Sequence, residues 1–260
     1  MHQNNENQPL ILQSEAAPVA RLILNRPKAG NSLSATMITE LRGVLAALES
    51  RRDIKIIIIS GAGGRIFCAG HDLSEFAHQT AEHDFTQLAA LMEAIMNQRQ
   101  IVIAKVEGVA TAAGCELVAA CDLALASSVA CFAVPGINIG FWCHSPQVQL
   151  SRTIGRKQAL MMLATGRLFS AAHALSIGLI NEVHEPELLE AAIDALAAEI
   201  ASKSAAILDL GKRSFHHQAA LTIPEAYVFA GESANANLRH QDAKEGIAAF
   251  LQKRSPKWVD

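Results

Sequence analysis

A single glutamate within a run of small and apolar residues is the first candidate for chemistry in this 260-residue chain. Glu116 lies in AAGCELVAAC (112–121), where the pattern predicts a short helix. A carboxylate in the first turn of a helix is usually just a favourable partner for the helix dipole. Here its apolar neighbours would raise its pKa by desolvation while the helix N-terminus would lower it. The balance predicts an acid or base that works near neutral pH.

Two loops of small residues each follow an apolar, strand-like run. FCAGHDL (67–73) comes after IKIIIIS (54–60), and GVATAAGCEL (108–117) comes after IVIAKVEG (101–108). The carboxyl ends of parallel strands form the edge where open α/β sheets bind ligands. Small residues there would let two backbone N–H groups approach one oxygen, as in an oxyanion hole. The local pattern alone favours a plain loop, with Asp72 as the cap of the next helix.

Three nearby features are weaker candidates. Cys115 adjoins Glu116, but no histidine is placed by the sequence to activate it, so a buried filler role is favoured over a nucleophile. His144, in FWCHSP, faces the site or lies on the surface. GAGGR (61–65) has neither of the glycine spacings of nucleotide-binding loops, which excludes that function for it.

The composition is typical of helices packed against a parallel sheet. Half of the residues are hydrophobic, 18% are charged and 5% are aromatic, so the core must consist mainly of Ala, Leu, Ile and Val. The net charge of −3, without a basic cluster, argues against nucleic acid as a partner. The apolar runs are far shorter than the ~20 residues that a membrane helix needs, so no membrane partner is expected.

The terminus and the cysteines together predict a cytoplasmic protein. MHQNNENQPL has neither the apolar segment of a secretory signal nor the arginines of a transit peptide. The five cysteines are odd in number and have no metal-like spacing, which argues against a disulfide framework or a zinc site.

Strand-like and helix-like segments alternate up to about residue 146, and the rest of the chain has an almost wholly helical pattern. Ser34 is the predicted N-cap of the first helix. We predict a flexible segment over 1–10, an α/β core over 11–200 and a C-terminal helical region over 201–260.

Six segments, in order along the chain, resemble the enoyl-CoA hydratase/isomerase (crotonase) family from about residue 18 to 256. They are LNRPKAGNSLS, FCAGHDL, VEGVATAAGCELVAACDLALAS, INIG, TGRLFSAAHALSIGLINEV and EGIAAFLQKR. The resemblance implies an α/β spiral of ββα units and an α-helical C-terminal region that makes trimer contacts. It also implies a homotrimer or a dimer of trimers that acts on an acyl-CoA thioester. Coenzyme A is then part of the substrate, and neither a separate cofactor nor a metal is expected.

The resemblance also implies roles for residues of this chain. The backbone amides of His71 and Ala113 would hold the enolate oxygen of the thioester, and Glu116 would be the principal acid or base. The RPKA segment and the backbone around Ala69 resemble the groups that hold the adenine and phosphates. The substrate-binding residues predicted in this way are Arg26, Lys28, Ala29, Ala69, Gly70, Leu73, Gly136 and His144.

One departure from the family pattern affects the chemistry. Hydratases of the family use two glutamates; the first matches Glu116, and the second belongs to a PEI segment where this chain has Gly136 in VPGINIG. Loss of one acid or base typically costs ~10²- to 10⁴-fold in rate. We therefore expect an enzyme classed with the enoyl-CoA hydratases that works through one carboxylate. The alternatives are an isomerase, a decarboxylase, a thioester hydrolase, or a non-catalytic acyl-CoA-binding protein. His144, or a water in the space left at Gly136, is the candidate substitute for the missing acid.

Overall fold

The computed structural model describes residues 8–77 and 85–259, so most of the predicted flexible segment lies outside the described residues. Its strands are β1 (Ile11–Ala16), β2 (Val19–Leu24), β3 (Ile56–Gly61), β4 (Ile66–Cys68), β5 (Ile101–Val106), β6 (Val109–Thr111), β7 (Leu123–Ser127), β8 (Cys131–Ala133), β9 (Phe169–Ser170) and β10 (Glu182–His184). Its helices are α1 (Ala35–Glu49), α2 (Leu73–Ala77), α3 (Thr86–Asn97), α4 (Ala113–Ala120), α5 (Pro146–Thr153), α6 (Arg156–Thr165), α7 (Ala171–Ser176), α8 (Leu189–Ala201), α9 (Ala205–Gln218), α10 (Ile223–Arg239) and α11 (Gln241–Leu251). Short 3₁₀ helices span Pro27–Ala29 and Pro135–Ile139.

Two sheets form the α/β part of the protein. The larger sheet has the order β1-β2-β3-β5-β7-β10, and the smaller sheet has the order β4-β6-β8-β9. Each of the pairs β3–β4, β5–β6 and β7–β8 contributes its first strand to the larger sheet and its second to the smaller one. Helices follow each pair, so the chain winds as the predicted spiral of ββα units. The strands within each sheet are parallel except for the β1–β2 and β8–β9 pairs.

The centre of the larger sheet is apolar because both of its faces are covered. Every residue of β3 is buried, which accounts for its continuous run of isoleucines. One face packs into the main core with α1, α3 and α4, and the other contacts α8. This arrangement confirms the predicted fold class and leaves the loops after the parallel strands free to form a site.

The predicted cap of the first helix is present. The Ser34 side chain accepts a hydrogen bond from the backbone N–H of Met37 at 3.2 Å, and Ser34 itself has extended backbone angles. The hydroxyl therefore satisfies one of the N–H groups that have no acceptor within the helix.

Ser34→Ala is expected to lower the free energy of unfolding by about 1 kcal/mol, because that N–H loses its acceptor. Ser34→Gly should cost only a few tenths of a kcal/mol and is the matched control. Urea denaturation of both variants measures the difference. Equal stability of Ser34→Ala and the unsubstituted protein would contradict the capping role.

The prediction of an almost wholly helical chain after residue 146 is wrong in two places. Strand β9 pairs with β8, and β10 pairs in parallel with β7, so the chain returns once to each sheet. These strands have two and three residues. Segments this short do not show an alternating pattern, and pairing with an existing edge strand stabilises them instead.

A buried ion pair joins the C-terminal helices to the α/β part of the chain. Lys212 of α9 donates to Asp122 Oδ2 at 2.6 Å and to the carbonyl oxygens of Ile95 and Gln100 at 3.2 and 3.0 Å. Burial lowers the pKa of Lys212, and the Asp122 carboxylate opposes that effect. The contact anchors α9 to the α/β part of the chain. The predicted boundary after residue 200 falls near the end of α8.

Candidate active site

Glu116 lies in the first turn of α4, and its side chain is buried. The residue is 2% exposed, and all eight residues of the helix are buried with it. Desolvation raises the pKa of Glu116 to about 7, as its apolar neighbours predict. The opposing effect comes from the Ser145 hydroxyl, which donates to Glu116 Oε1 at 2.7 Å. The Oε2 atom has no hydrogen-bond partner among the described residues.

The turn that leads into α4 is held in an unusual backbone conformation. Ala112 has φ +49° and ψ −121°, a region that costs a residue with a side chain of the order of 1–3 kcal/mol. Its own N–H donates to the Ala133 carbonyl at 2.9 Å, which holds the turn against β8. The next residue, Ala113, begins α4, and an N–H in that position has no acceptor within the helix. The turn therefore presents a backbone donor three residues before Glu116.

The first predicted loop meets this turn. Gly70 has φ +101°, and a Cβ placed on it would lie 2.7 Å from the Ala112 Cβ and 3.2 Å from the Ala113 nitrogen. Only glycine combines that conformation with so close an approach. The next residue, His71, pairs with Leu33 in an isolated parallel bridge, and its ring packs against Phe76 and Phe85. The structure thus brings the His71 segment and Ala113 to one place, and the His71 imidazole lies in an aromatic cluster.

The RPKA segment lies beside the same loop. The Ala69 N–H donates to the Gly30 carbonyl at 2.9 Å, and Lys28, Ala29 and Ala69 are all exposed there. Arg26 is placed differently from the other predicted binding residues. Its guanidinium donates to Asp72 at 2.8 Å and to the Ser32 carbonyl at 2.9 Å, so it joins the two segments.

Asp72 has two roles at the start of α2. Its Oδ1 accepts from the backbone N–H and the hydroxyl of Ser74, at 3.2 and 2.7 Å, which is the predicted helix cap. The Ser74 hydroxyl and the Arg26 guanidinium hold the pKa of Asp72 below its ordinary value. Leu73, the first residue of the helix, is exposed beside the loop.

Gly136 lies in the 3₁₀ helix Pro135–Ile139, and it is buried. A Cβ on Gly136 would overlap the Phe141 carbonyl oxygen and would lie 2.8 Å from the Cys143 sulfur. The expected space for a water or a side chain at this position is therefore filled by the protein itself. The Phe141 N–H also donates to the Gly136 carbonyl at 3.0 Å, so the backbone is tied at the same point.

His144 is exposed, and its ring meets the edge of the Phe141 ring at 6.2 Å between centroids. Phe141 in turn packs near Phe76 and Phe85, so the aromatic cluster reaches from His71 to His144. The adjacent residue, Ser145, makes the hydrogen bond to Glu116. Cys115 is fully buried, and burial raises the pKa of its thiol to about 12, which favours the filler role over a nucleophile.

The spiral of ββα units, the two meeting loops and the buried glutamate agree with a known family. The model of the enoyl-CoA hydratase/isomerase family matches residues 14–260. The chain belongs to the enoyl-CoA hydratase/isomerase family. This finding confirms the family resemblance and the crotonase-type fold.

Individual relatives of the enoyl-CoA hydratase/isomerase family cover nearly the whole chain. "Enoyl-CoA hydratase domain-containing protein 3, mitochondrial" of Danio rerio is 40% identical over 99% of this chain and 90% of its own length. "Crotonyl-CoA hydratase" of Syntrophomonas wolfei is 31% identical over 96% of this chain and 97% of its own. The crystal structure of an enoyl-CoA hydratase from Mycobacterium smegmatis is 40% identical, with a TM-score of 0.91 over 97% of this chain and 100% of its own.

The prediction of a cytoplasmic protein is wrong by the same comparison. The Danio rerio relative and its Rattus norvegicus and Homo sapiens counterparts are all named as mitochondrial proteins. The prediction depended on features missing from the first ten residues and on cysteine usage. The cysteine pattern argues only against a disulfide framework and does not identify a compartment.

Two residues of the site have no counterpart in the sequence-based predictions for this hydratase/isomerase family member. Ala112 carries the strained backbone angles, and nothing about an alanine signals a positive φ. Ser145 contacts Glu116 across 29 positions of sequence. Its only sequence signal is a serine before a proline, a pattern typical of a helix N-terminus.

The described residues also limit other kinds of site. Within 8–77 and 85–259, no group of three or more His, Cys, Asp or Glu side chains is arranged to hold a metal ion. Across the same residues, no helix combines the length and apolar character needed to cross a bilayer.

Proposed function

We propose that this enoyl-CoA hydratase/isomerase family member processes acyl-CoA thioesters with Glu116 as its principal acid and base. The observation that carries the proposal is the state of Glu116, which is buried beside the close approach of Gly70 to the Ala112–Ala113 turn. Its pKa is about 7, and its Oε2 has no hydrogen-bond partner among the described residues. A carboxyl group with a pKa near the working pH both accepts and returns a proton readily. The backbone amides of His71 and Ala113 are proposed to hold the thioester oxygen as it gains negative charge.

Hydration of an enoyl thioester can be written with one carboxylate. The Glu116 carboxylate takes a proton from water as the water oxygen bonds to C3, and the thioester oxygen becomes an enolate. The protonated Glu116 then returns the proton to C2, which restores the thioester. Relatives named as hydratases support this reaction class. We expect a rate below that of a two-glutamate site because no second side chain orients the water at Gly136.

A proton transfer within the acyl chain uses the same groups without water. Glu116 would remove a proton from C2 and return it to C4, with the enolate held by the same two amides. The filled space at Gly136 favours this second candidate, because a site with one acid and no second water-positioning carboxylate suits isomerisation.

A binding protein without turnover is the alternative from another class. Burial of a carboxylate that is not fully hydrogen-bonded is unfavourable, and a binder gains nothing from it. The presence of Glu116 in that environment therefore favours an enzyme.

Lys28 is proposed to interact with the phosphates of coenzyme A, since it is exposed on the segment that meets Ala69. Lys28→Ala should raise KM about 3- to 10-fold and leave kcat unchanged, because the lost attraction is the same in ground and transition states. Salt should reduce the difference. Lys203→Ala, at an exposed position between α8 and α9, is the control. A fall in kcat at constant KM would contradict this role.

We also propose self-association into a homotrimer or a dimer of trimers. Helices α10 and α11 expose large apolar side chains, among them Tyr227 at 78% and Phe250 at 82%. Large apolar side chains exposed on neighbouring helices are typical of an interface between subunits. Sedimentation equilibrium decides among monomer, trimer and hexamer.

The proposed activity is tested with a panel of thioesters. The purified protein is incubated separately with enoyl-, 3-hydroxyacyl- and malonyl-CoA substrates, and the products are identified by mass spectrometry. Gain or loss of 18 mass units identifies hydration, and an unchanged mass with a new elution time identifies isomerisation. Loss of CO₂ or release of free coenzyme A identifies the other two reactions. Binding of the thioesters without any product would refute the proposal and leave the binding protein.

A further inference from the structure

The two oxygens of the Glu116 carboxylate have different surroundings. Oε1 accepts the Ser145 hydroxyl at 2.7 Å, whereas Oε2 is buried and has no partner among the described residues. A carboxylate that has one oxygen fixed and the other open has a defined orientation and one defined atom for proton transfer. The two oxygens therefore differ in what they can do: Oε1 holds the carboxylate in place, and Oε2 is available to react.

Ser145 does not use its hydroxyl as the comparable serines of this chain do. Ser34, Ser170 and Ser204 each precede a helix and accept a hydrogen bond from a backbone N–H. Ser145 also precedes a helix, α5, but its backbone angles are helical (φ −70°, ψ −51°) where those of the other three are extended. Its side chain makes no capping hydrogen bond, and its hydroxyl donates to Glu116 instead. The helix forgoes the usual stabilisation of about 1 kcal/mol at that position.

The location of Ser145 relates it to the missing second carboxylate. The Cys143 sulfur and the Phe141 carbonyl occupy the volume that a side chain at Gly136 would need. The segment that fills this volume continues directly into Ser145. The segment that occupies the expected position of a second carboxylate therefore also places the Ser145 hydroxyl against Glu116.

We propose that Ser145 is a positioning residue that orients Glu116 through Oε1 and leaves Oε2 as the atom that transfers the proton. This inference rests on the proposed function of Glu116. It assigns to Ser145 the orienting part of what a second carboxylate would do, and it leaves all proton transfer to Glu116.

The electrostatic surroundings make the effect of Ser145 measurable. Within residues 8–77 and 85–259, the titratable groups that interact electrostatically with Glu116 are the thiols of Cys115 and Cys143. Burial raises the pKa of both thiols, so both remain neutral near pH 7. Cys68 of β4, which packs against α4, is also neutral because burial raises its pKa. Helix α3 faces α4 with buried apolar residues, and His71 and His144 lie in the aromatic cluster. Loss of the Ser145 hydroxyl removes the stabilisation of the charged form, so the pKa of Glu116 should rise.

The kinetic test compares Ser145→Ala, Ser145→Thr and Ser170→Ala on the thioester that the panel identifies. Ser145→Ala should lower kcat about 10- to 100-fold, with KM within about twofold, because a misoriented base affects only the reacting geometry. The acid limb of its pH profile should move to higher pH. Ser145→Thr keeps a hydroxyl and should restore both kcat and the position of the acid limb. Ser170→Ala loses an ordinary helix cap and should change neither kcat nor the acid limb.

A second measurement does not depend on turnover. Infrared difference spectra recorded as a function of pH, with Glu116→Gln used to assign the carboxyl band, give the titration of Glu116 directly. In Ser145→Ala the midpoint should rise, and in Ser170→Ala it should stay at the unsubstituted value. An unchanged midpoint in Ser145→Ala, or an acyl group found on Ser145 by mass spectrometry, would overturn the assignment. If no thioester is converted, the proposed function fails, while the spectra still decide whether Ser145 acts on Glu116.

Discussion

Glu116→Gln is expected to lower kcat by about 10²- to 10⁴-fold and to leave thioester binding within a few-fold of the unsubstituted protein. The amide still accepts the Ser145 hydroxyl and has the shape of the carboxylate, so the fold of the turn should be kept. What it loses is the capacity to accept and return a proton. Because Gly136 offers no second acid, no other carboxylate of the predicted site is placed to take over the step.

Glu116→Gln should raise the stability of the folded protein, although it lowers the activity. The pKa of Glu116 is raised in the folded protein to about 7 from its ordinary value of 4.5, so the native state favours the neutral form. Stability contributed by this group is fully present below pH 4.5 and is lost as the pH rises through 7. The glutamine of Glu116→Gln cannot ionise. At pH 8 the free energy of unfolding of this variant should therefore exceed that of the unsubstituted protein by up to about 3 kcal/mol.

Urea denaturation at pH 4.5 and pH 8, together with kinetics at saturating thioester, measures both effects. The difference in stability should be large at pH 8 and small at pH 4.5. Glu93→Gln, on an exposed position of α3, is the control and should change neither quantity. Full activity in Glu116→Gln would remove the proposed role of Glu116, and equal stability at both pH values would contradict its buried, raised-pKa state.

The pH dependence of the unsubstituted enzyme follows from the same group. If Glu116 acts as the base in the first step, kcat/KM should rise with pH through about 7 as the carboxyl ionises. In Glu116→Gln the residual rate should lack this limb. A limb that survives the substitution would belong to another group, and His144→Gln tests the nearest histidine in the sequence.

The sequence was sufficient for features that depend on local pattern. The isoleucine run of β3 and the Ser34 cap of α1 each leave a signal in neighbouring residues, and the six family segments predicted the winding of the chain. The small-residue loops indicated two segments that could meet, although the local pattern alone favoured a plain loop. For the strand and the cap, the signal lies within a few positions of the feature itself.

The sequence was insufficient where distant segments decide the chemistry. Ser145 contacts Glu116 across a turn whose course depends on Phe141 and Cys143, and no local pattern encodes that course. The strain at Ala112 is imposed by its hydrogen bond to Ala133 rather than by its residue type. The family resemblance places Gly136 where a second carboxylate is expected, and only the packing around Gly136 shows that a side chain has no space there.

The packing at Gly136 leads to a second prediction, which reverses the simplest view of that position. On the family pattern alone, Gly136→Glu would supply the second acid and raise hydration. The structure instead predicts that any side chain there displaces the backbone, because a Cβ would overlap the Phe141 carbonyl oxygen. Gly136→Ala should lower the free energy of unfolding by about 1–3 kcal/mol, which is the usual cost of overpacking.

Gly136→Glu should be less stable than Gly136→Ala and should lose activity instead of gaining it. Displacement of the Phe141–Cys143 segment would also shift Ser145, the partner of Glu116, so damage at position 136 would reach the carboxylate that we propose as the acid and base. Gly43→Ala is the matched control, since its added Cβ meets no atom within 4 Å on the exposed side of α1. It should stabilise the helix by about 0.5–1 kcal/mol. A Gly136→Glu variant that is as stable as the unsubstituted protein and hydrates faster would contradict this prediction. It would show that the Phe141–Cys143 segment can move aside, so that the packing does not prevent a second carboxylate at position 136.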